Sequence, residues 1–368
     1  MKTAQTVAVL GGGQLGLMLG QAGIEHGLSF RFLDPSPDAP AAAVGTLVSG
    51  ALDSVVALDD VADGADVVTY EWEGVPAASA RHLSYTHRVA PGIRALEVSQ
   101  DRWAEKSLFE SLQIPTARFA KVDELADLAT AIREHGLPAV LKTRRGGYDG
   151  KGQRVLREAA DVGAAWSALG GVPLIVESFV PFRRELSIVA ARGEDGTVAC
   201  WPVVENEHRG GILRVTRAPA PDWTPALQAA AESHVIAVFE ALDFVGVGCV
   251  ELFETDDALL ANELAPRVHN SGHWTIEGSE TSQFDNHLRA ILGRPLGSTA
   301  PTGVAAMVNC IGTMPDAGAV LSLEHAHLHD YGKDARAGRK LGHVTLTADD
   351  EASLAPQLER LLAIIDAT

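Results

Sequence analysis

The amino-terminal stretch VAVLGGGQLGLMLGQAGIEHGLSFRFLDP constrains the fold more than any other part of the chain. An apolar run from Val7 to Leu10 leads into a glycine turn, and apolar residues at helical spacing follow. Gly27 suits the end of that helix, and Phe30 to Leu33 form a second apolar run. Strand, helix and strand in this order predict a βαβ unit.

A further apolar run from Asp66 to Trp72 predicts another buried strand, so residues 1–100 are expected to form a small, doubly wound, Rossmann-like domain. Asp101 is a suitable cap for a helix that begins with DRWAEK. A central domain is predicted over 101–296, with a compact α+β lobe at about 116–183. The glycines from Gly297 to Gly303 suggest a linker, and a small carboxy-terminal domain is predicted over 297–368.

The central region alternates between helical and extended patterns. The predicted elements are helix 124–135, strands 139–143 and 153–156, helix 160–169, strands 174–180, 187–191 and 199–204, and helix 226–242. The stretch RGEDGT predicts a hairpin turn between the last two of these strands.

The first glycine loop, GGGQLG from Gly11 to Gly16, has three explanations. With Asp34 at the end of the next strand, it is typical of a nicotinamide-dinucleotide site, where glycines admit the pyrophosphate and the acid binds ribose hydroxyls. The N–H groups of a helix N-terminus would bind other anions as well. A tight turn with close helix packing would need the same glycines, so all three explanations stay open here.

Two glutamates in VGCVELFETDDALLANELAPR are candidates for a metal site. If residues 256–258 form the loop of a hairpin, Thr255 faces Leu259, and Glu251 then faces Glu263. Two carboxylates at roughly 5 Å repel each other unless a cation lies between them. Oxygen ligands favour Mg²⁺, which also bonds substrate phosphates; with another register, both glutamates would be solvated strand-end residues.

A second glycine-rich stretch, RRGGYDGKGQ at 144–153, follows the apolar run that ends at Lys142. The lysine ammonium and the glycine N–H groups would meet nucleotide phosphates there. Glu177 ends another apolar strand, and the backbone of residues 177–180 would line a base pocket. Taken singly, Lys142 and Glu177 fit the pattern of ordinary surface residues better than that of nucleotide ligands.

Two sets of polar donors follow. Arg267, His269 and Asn270 adjoin in LAPRVHNSGHW and would together hold a planar or tetrahedral anion. The stretch DYGKDARAGRKLGH contains a group of cations: Lys333, Arg336, Arg339 and Lys340. Either a solvated loop or a phosphate-bearing small substrate explains this basic group.

Composition excludes several classes of partner. The net charge of -18 disfavours nucleic acid or an anionic membrane, because either would repel most of the surface. Cys200, Cys249 and Cys310 lie far apart, which suggests buried thiols rather than a disulfide framework or a zinc site. No apolar run approaches the roughly 18 residues of a membrane span, and the start lacks a signal-peptide core. A cytoplasmic protein is therefore expected.

Several blocks, in this order, resemble the ATP-grasp ligases, and within them the family of 5-(carboxyamino)imidazole ribonucleotide synthases of purine biosynthesis. The blocks are GGGQLGLML, TYEWE, DRWAEK, VLKTRRGGYDGKGQ, ELAPRVHNSGHWT, SQFDNHLRAI and GRKLGHVTL. The resemblance implies an ATP-grasp fold of mixed α/β and α+β type. It would combine a Rossmann-like amino-terminal domain, a central ATP-grasp domain with a mobile lid lobe, and a small carboxy-terminal domain.

The resemblance also implies a reaction and its residues. Bicarbonate would carboxylate the exocyclic amine of 5-aminoimidazole ribonucleotide through carboxyphosphate, with ATP, Mg²⁺ (or Mn²⁺) and a homodimeric assembly. The implied ATP-binding residues are Arg102, Lys142, Gly146, Gly147, Tyr148, Asp149, Gly150, Lys151, Gly152, Glu177, Ser178, Phe179, Val180, Glu185, His208, Asn262 and Glu263. The implied metal ligands are Glu251 and Glu263, and the implied catalytic residues are Arg267, His269, Asn270, Tyr148 and Asp149. The implied ribonucleotide-binding residues are Glu73, Tyr148, Asp149, Lys333, Arg339 and Lys340.

Three other functions are weighed against this one. Formate-dependent glycinamide ribonucleotide transformylase is a sister ATP-grasp enzyme, but it does not usually carry Tyr-Asp in its glycine loop. An NAD-dependent oxidoreductase would use GGGQLG and Asp34, and would leave Glu251 and Glu263 without a task. A catalytically silent module would bind ATP without turnover.

Overall fold

The computed structural model describes residues 5–147 and 151–367, and its first part is a parallel sheet with the order β3-β2-β1-β4. Its strands are β1 (Thr6–Leu10), β2 (Ser29–Asp34), β3 (Thr46–Ser49) and β4 (Val67–Tyr70). Its helices are α1 (Gln14–Ile24), α2 (Val55–Ala62), α3 (Ala77–Leu83) and α4 (Ile93–Ser99). Val7 and Val9 pack with α1 on one face, whereas Ala8 and Leu10 pack with α2 on the other. The predicted βαβ unit and the doubly wound arrangement are confirmed.

A helix then leads into a small lobe with an antiparallel sheet. The elements are α5 (Arg102–Ser111), β5 (Phe119–Val122), α6 (Leu125–His135), β6 (Ala139–Thr143), β7 (Gln153–Leu156), α7 (Asp161–Leu169) and β8 (Leu174–Ser178). The strand order is β5-β8-β6-β7. As predicted, Asp101 caps α5, because its carboxylate accepts a hydrogen bond from Trp103 N. The same carboxylate binds the Arg144 guanidinium (Nε–Oδ1 2.9 Å), which joins α5 to the end of β6.

A large sheet runs through the rest of the chain. Its strands are β9 (Arg184–Arg192), β10 (Val198–Cys200), β11 (Val204–Arg209), β12 (Ile212–Ala218), β13 (Gly246–Glu254), β14 (Leu259–Ala265), β15 (Val304–Ile311), β16 (Ala326–Asp330) and β17 (Lys340–Ala348). The helices that accompany them are α8 (Pro225–Ala241), α9 (Thr275–Gly278), α10 (Gln283–Ile291), α11 (Ala317–Leu321) and α12 (Glu351–Asp366). The strand order is β14-β13-β9-β11-β12-β15-β17-β16, with β10 beside β9.

This sheet continues across the boundary predicted at 296/297, since β12 pairs with β15. Helix α8 buries Val235 and Phe239 against β9 and β13, while α12 buries Leu358 and Leu361 against β15 and β17. Full burial of one such side chain contributes about 2 kcal/mol.

Within single pairs of strands, the described part of the large sheet has three register shifts. The register shifts between Glu207 and His208, between Glu251 and Leu252, and between Cys310 and Ile311, which pairs with Lys340. Each shift is a bulge, which adds a residue to one strand and bends it.

One strand prediction is wrong. Residues 199–204 are divided between β10 and β11, whose pairing with β9 differs by one residue in register, since Cys200 pairs with Ala190 and Val204 with Ser187. Between them, Trp201 N still donates to Val189 O (3.0 Å), and its buried Nε1 donates to Ser279 Oγ and Thr281 O (both 3.1 Å). Pro202 has no N–H to donate to a ladder. The hairpin between β9 and β10 is confirmed by the pairing of Arg192 with Val198.

Within residues 5–147 and 151–367, no helix combines the length and apolar character needed to cross a membrane.

Candidate functional site

A cleft of about 1210 Å³ lies where the first sheet, the small lobe and the large sheet meet. Almost all the described candidate residues line it, although they come from distant parts of the chain. They are Glu73, Arg102, Lys142, Lys151, Glu177, Ser178, Phe179, Val180, Glu185, His208, Glu251, Asn262, Glu263, Arg267, His269, Asn270, Lys333, Arg339 and Lys340.

Some members of the second glycine loop fall outside this lining. Gly146, Gly147 and Gly152 belong to the loop between β6 and β7, next to the cleft. Arg102 connects the loop to the cleft wall, because its Nη2 donates to Gly147 O (3.1 Å). Three further predicted residues, Tyr148, Asp149 and Gly150, lie outside the described residues.

The turn between β13 and β14 is one residue longer than predicted. Glu254 faces Leu259, so the predicted pairing of Thr255 with Leu259 is wrong. Thr255 closes the turn itself: its N–H donates to Ala258 O (2.9 Å) and its Oγ1 accepts from Ala258 N (3.0 Å).

Glu251 nevertheless faces Glu263, as predicted. Asn262 is an extra residue on β14, and the bulge that it creates offsets the longer turn. Directly opposed residues of an antiparallel pair share a face. Both carboxylates therefore line the cleft.

The two carboxylates have opposite pKa shifts. Burial opposes ionisation of Glu251, but His269, whose Nε2 lies 3.3 Å from Glu251 Oε1, and the more distant His208 lower the pKa of Glu251 to about 2. Loss of hydration inside the cleft and the charge of Glu251 raise the pKa of Glu263, even though solvent still reaches its side chain. A divalent cation between them would stabilise both ionised forms.

Glu251 and Glu263 alone are too few to coordinate Mg²⁺, so oxygen atoms of a bound substrate or of water would have to complete its coordination shell. No group of three or more His, Cys, Asp and Glu side chains suited to a metal occurs within 5–147 and 151–367. Mg²⁺ commonly takes one or two carboxylates and completes its shell with water and substrate phosphates. The Glu251–Glu263 pair has the composition of that kind of site.

A buried carboxylate holds two lysines at the small-lobe side of the cleft. Glu177 lies 3.0 Å from Lys142 Nζ and 3.6 Å from Lys106 Nζ. Burial alone would raise the pKa of Glu177, but the two ammonium groups lower it to about 2. Lys142 is thereby held at the cleft surface, where it can meet an anion.

Of the predicted anion-binding residues Arg267, His269 and Asn270, the first two already have hydrogen-bond partners within the protein. Arg267 Nε donates to Glu73, and Arg267 Nη1 donates to Val268 O (2.9 Å). Both amide atoms of Asn270 are buried, and neither has a hydrogen-bond partner among the described residues. An unpaired buried amide costs about 1–3 kcal/mol, which a ligand in the cleft would offset.

His269 has partners on both ring nitrogens. Its Nε2 faces Glu251, and its Nδ1 lies 2.8 Å from Ser271 Oγ. Burial would lower the pKa of His269, but the Cys249 sulfur and the Glu251 carboxylate raise it. On the neighbouring strands β11 and β9, His208 Nδ1 lies 3.0 Å from Glu185 Oε2, so these two candidate nucleotide contacts form one pair.

The basic group near the carboxy terminus faces the cleft, not bulk solvent alone. Lys333 reaches across to the first domain, where its Nζ donates to Gln14 Oε1. Burial and the nearby Arg339 and Lys340 lower the pKa of Lys333 to about 8. These cations are crowded, which is the arrangement expected where an anion such as a phosphate binds.

The first glycine loop is filled by the protein itself. Glu71 accepts hydrogen bonds from Gly13 N (2.7 Å) and Gly16 N (2.9 Å), and Asp34 accepts from Gly12 N (2.9 Å). A Cβ atom at Gly13 would lie 2.7 Å from Glu71 Oε1. The glycines therefore make room for an internal carboxylate, where a dinucleotide site would place pyrophosphate. This geometry supports the tight-turn explanation and argues against the oxidoreductase.

Glu71 and Lys106 were missed by sequence reasoning. The partners of Glu71 lie 55 to 58 residues away in the chain, so no local pattern reveals them. Lys106 carried one signal: it occupies the same face of α5 as the buried Phe109, where a charged residue needs a buried partner.

Comparison with known proteins gives consistent matches along the chain. Residues 4–100 match the ribonucleotide synthetase preATP-grasp domain, 107–284 the ATP-grasp domain, and 305–357 the phosphoribosylaminoimidazole carboxylase C-terminal domain. The N5-carboxyaminoimidazole ribonucleotide synthase of Pseudomonas aeruginosa is 50% identical over 361 residues, which cover 98% of this chain and 99% of that protein.

Solved structures agree. The N5-carboxyaminoimidazole ribonucleotide synthetase of Thermus thermophilus is 53% identical, with a TM-score of 0.95 and 98% coverage of both chains. The Aspergillus clavatus enzyme, crystallised with ADP and 5-aminoimidazole ribonucleotide, is 32% identical, with a TM-score of 0.94 and 100% coverage of both chains. The chain belongs to the N5-carboxyaminoimidazole ribonucleotide synthases, a family of ATP-grasp ligases.

Proposed function

We propose that this ligase carboxylates the exocyclic amine of 5-aminoimidazole ribonucleotide, with bicarbonate as the carbon source, and converts ATP to ADP and phosphate. The observation that carries the proposal is a single cleft that joins an opposed carboxylate pair, Lys142 held by Glu177, and the basic group around Lys333. The relative from Aspergillus clavatus was crystallised with ADP and the same ribonucleotide.

The nucleotide would bind between the small lobe and the large sheet. Lys142, Arg102 and the second glycine loop would contact the phosphates. The backbone of residues 177–180 and the Glu185–His208 pair would address adenine and ribose, with Asn262 beside them. Glu251 and Glu263 would hold a bound Mg²⁺, which would supply positive charge to offset that of the phosphates.

Bicarbonate would bind beside the γ-phosphate, at Arg267, His269 and Asn270. Asn270 supplies an unpaired buried amide, and Arg267 supplies a guanidinium oriented by Glu73. Attack of a bicarbonate oxygen on the γ-phosphorus would release ADP and give carboxyphosphate. Cationic side chains spread the charge of the transferring group, and a closed cleft limits hydrolysis of the intermediate.

The ribonucleotide would bind across the cleft from ATP. Lys333, Arg339 and Lys340 would hold its phosphate, and Glu73 would lie on the same wall. Tyr148 and Asp149, which are outside the described residues, are proposed to contact this substrate from the lid loop. Asp149 would accept a hydrogen bond or a proton from the amine.

Three predictions from sequence remain proposals. They are the domain limits 1–100, 101–296 and 297–368, a homodimeric assembly, and a cytoplasmic location. Light scattering after size-exclusion chromatography tests the assembly.

The decisive assay measures phosphate release from Mg²⁺-ATP and bicarbonate, with and without 5-aminoimidazole ribonucleotide, together with product analysis. We expect the ribonucleotide to accelerate phosphate release and to become carboxylated. Turnover with formate and glycinamide ribonucleotide instead would identify the transformylase, and ATP binding without turnover would identify a silent module.

One substitution tests the division of labour in the second glycine loop. Asp149→Asn should leave ATP affinity nearly unchanged and lower kcat/KM for the ribonucleotide about a hundredfold, as expected for loss of a proton-accepting group. Equal loss for both substrates would contradict the assignment of Asp149 to the ribonucleotide.

A further inference from the structure

The opposed carboxylates depend on a bulge rather than on regular pairing. Near the turn, Leu252 pairs with Ala261, and continuation of that register would place Glu251 opposite Asn262. Glu263 would then share the face of Val250, which is buried in the core. A slip of one residue reverses the face of every side chain that follows. The extra residue Asn262 is what brings Glu263 to the cleft.

The outer edge of β14 at this bulge is held by helix α5. The strand ends the sheet order, so its outer backbone groups need partners from outside the sheet, and Ala261 N finds one in Pro115 O (2.7 Å), in an isolated bridge with Thr116. Lys106 Nζ donates to Ala261 O (3.2 Å) and to Asn262 O (2.8 Å). Glu105 Oε1 accepts from Leu264 N (2.7 Å). Two consecutive residues of α5 therefore grip β14 on both sides of Glu263.

Thr116 completes the arrangement. Its Oγ1 donates to Ala261 O (2.7 Å) and accepts from Lys106 Nζ (3.0 Å). The ammonium group of Lys106 thus has three hydrogen-bond acceptors, which matches its three donors. Burial of a charge is costly without such satisfaction.

These contacts do not serve substrate directly. Glu105 and Lys106 are each only 1% exposed, and neither belongs to the cleft lining. Charged residues are almost never buried so completely unless they are paired. The Lys106 ammonium donates to two backbone carbonyls of the strand that carries Glu263, and it also lies 3.6 Å from the Glu177 carboxylate.

We propose that Glu105 and Lys106 are positioning residues that hold the β14 bulge, and thereby keep Glu263 opposite Glu251 in the geometry that binds a divalent cation. This inference rests on the proposed metal–nucleotide site. It assigns to α5 a role that is separate from any phosphate contact of Arg102.

The test separates cation binding from nucleotide binding. The affinity for Mn²⁺ is measured by electron paramagnetic resonance in the presence of saturating adenylyl imidodiphosphate. Affinity for the same analogue without metal is measured by calorimetry in EDTA. Lys106→Met keeps the length of the side chain but removes the donors, and should weaken Mn²⁺ binding about tenfold or more, as loss of a ligand-orienting group does. Metal-free analogue affinity should change less than about threefold.

Two further variants separate this effect from the neighbouring ion pair with Glu177 and from loss of folding. Thr116→Val is milder and does not touch Glu177, and it should weaken Mn²⁺ binding about threefold. Glu105→Gln retains an acceptor for Leu264 N and should bind Mn²⁺ like the unmodified protein. Lys121→Met, an exposed lysine of the small lobe, is the matched control and should also have no effect.

Unchanged Mn²⁺ affinity in folded Lys106→Met or in Thr116→Val would overturn the positioning role. Equal loss of cation and metal-free analogue affinity in Lys106→Met would overturn it too. Absence of Mn²⁺ binding in the unmodified protein would overturn the proposed metal site itself, and this inference with it.

Discussion

The two glycine-rich loops resemble each other in sequence but differ in what fills them. The N–H groups of the first loop, at 11–16, donate to the side chains of Glu71 and Asp34. The acceptors at this loop are therefore carboxylates of the protein itself. Gln14 and Leu15 of the first loop line the cleft, and so does Lys151 of the second, whose described residues are 144–147 and 151–152. The same local pattern can therefore make a turn or a ligand site, and a carboxylate far away in the chain decides which.

A buried carboxylate lies behind each loop, and the two have opposite electrostatic surroundings. Burial raises the pKa of Glu71, and hydrogen bonds from Gly16 and Gly13 offset this only in part. Ammonium groups lower the pKa of Glu177 to about 2 despite its burial. Glu71 stabilises a turn beside the cleft, whereas Glu177 holds Lys142 at the cleft surface.

The largest effect should come from Lys142, the lysine nearest the second loop. Lys142→Met removes a cation that would stabilise charge on the transferring phosphoryl group. The kcat/KM for ATP, measured by phosphate release, should fall roughly a thousandfold, about 4 kcal/mol.

Two variants calibrate this result. Asp34→Asn alters the first loop, and Lys121→Met alters an exposed lysine of the small lobe; each should change kcat/KM for ATP less than about twofold. A tenfold or greater loss in Asp34→Asn would contradict the contrast between the loops.

The second-largest expected effect concerns Glu177 and the dependence of the free energy of unfolding on pH. The pKa of Glu177 is about 2 in the folded protein and 4.5 in its ordinary state, so its contribution is fully present above pH 4.5 and is lost as the pH falls toward 2. That contribution is roughly 3 kcal/mol. The stability advantage of the unmodified protein over Glu177→Gln, from urea unfolding at several pH values, should therefore shrink on acidification.

Glu71 should show the opposite sign. Its pKa is raised above 4.5, so its contribution is most favourable below pH 4.5 and is lost as the pH rises through the folded pKa. The stability difference between the unmodified protein and Glu71→Gln should decrease as the pH rises above 4.5. If the stability differences of Glu177→Gln and Glu71→Gln changed with pH in the same direction, the opposite pKa shifts of Glu177 and Glu71 would be contradicted.

The smallest effect compares matched glycines. Gly13→Ala would place a Cβ atom 2.7 Å from the buried Glu71 carboxylate, so it should lower the free energy of unfolding by about 2 kcal/mol. Gly146→Ala meets no atom of the described structure within 4 Å and bears only the strain of its φ of 75°, about 1 kcal/mol. Urea unfolding measures both. A larger loss in Gly146→Ala would contradict the close approach at the first loop.

Sequence patterns predicted what depends on local periodicity. The strands 139–143 and 153–156 have the predicted bounds, and the βαβ unit, the Asp101 cap and the Glu251–Glu263 pairing are confirmed. These features follow from the alternation of side chains and from cap chemistry, which neighbouring residues determine.

Features that depend on distant partners were missed or wrong. Strand 199–204 is interrupted where its register against β9 shifts by one residue, and there the ring of Trp201 binds Ser279 and Thr281, about eighty residues away. The pairing of Glu251 with Glu263 was predicted from a turn that is one residue too short, and only the bulge at Asn262 compensates. The role of Glu71 depends on glycines more than fifty residues earlier.

The irregular pairs of the large sheet have a consequence for changes in chain length. Each lies beside a cleft residue: His208, Glu251 or Lys340. Side chains of a strand alternate between the two faces of the sheet. A bulge adds one residue to one strand, so the residues that face the cleft are odd-numbered on one side of the bulge and even-numbered on the other. Deletion of Asn262 alone would remove the bulge and leave Glu251 opposite Glu263 in a regular ladder, although the Asn262 carbonyl that Lys106 binds would be lost. Gain or loss of one residue elsewhere in these strands would instead turn cleft-facing side chains toward the core, which is a larger perturbation than replacement of a side chain.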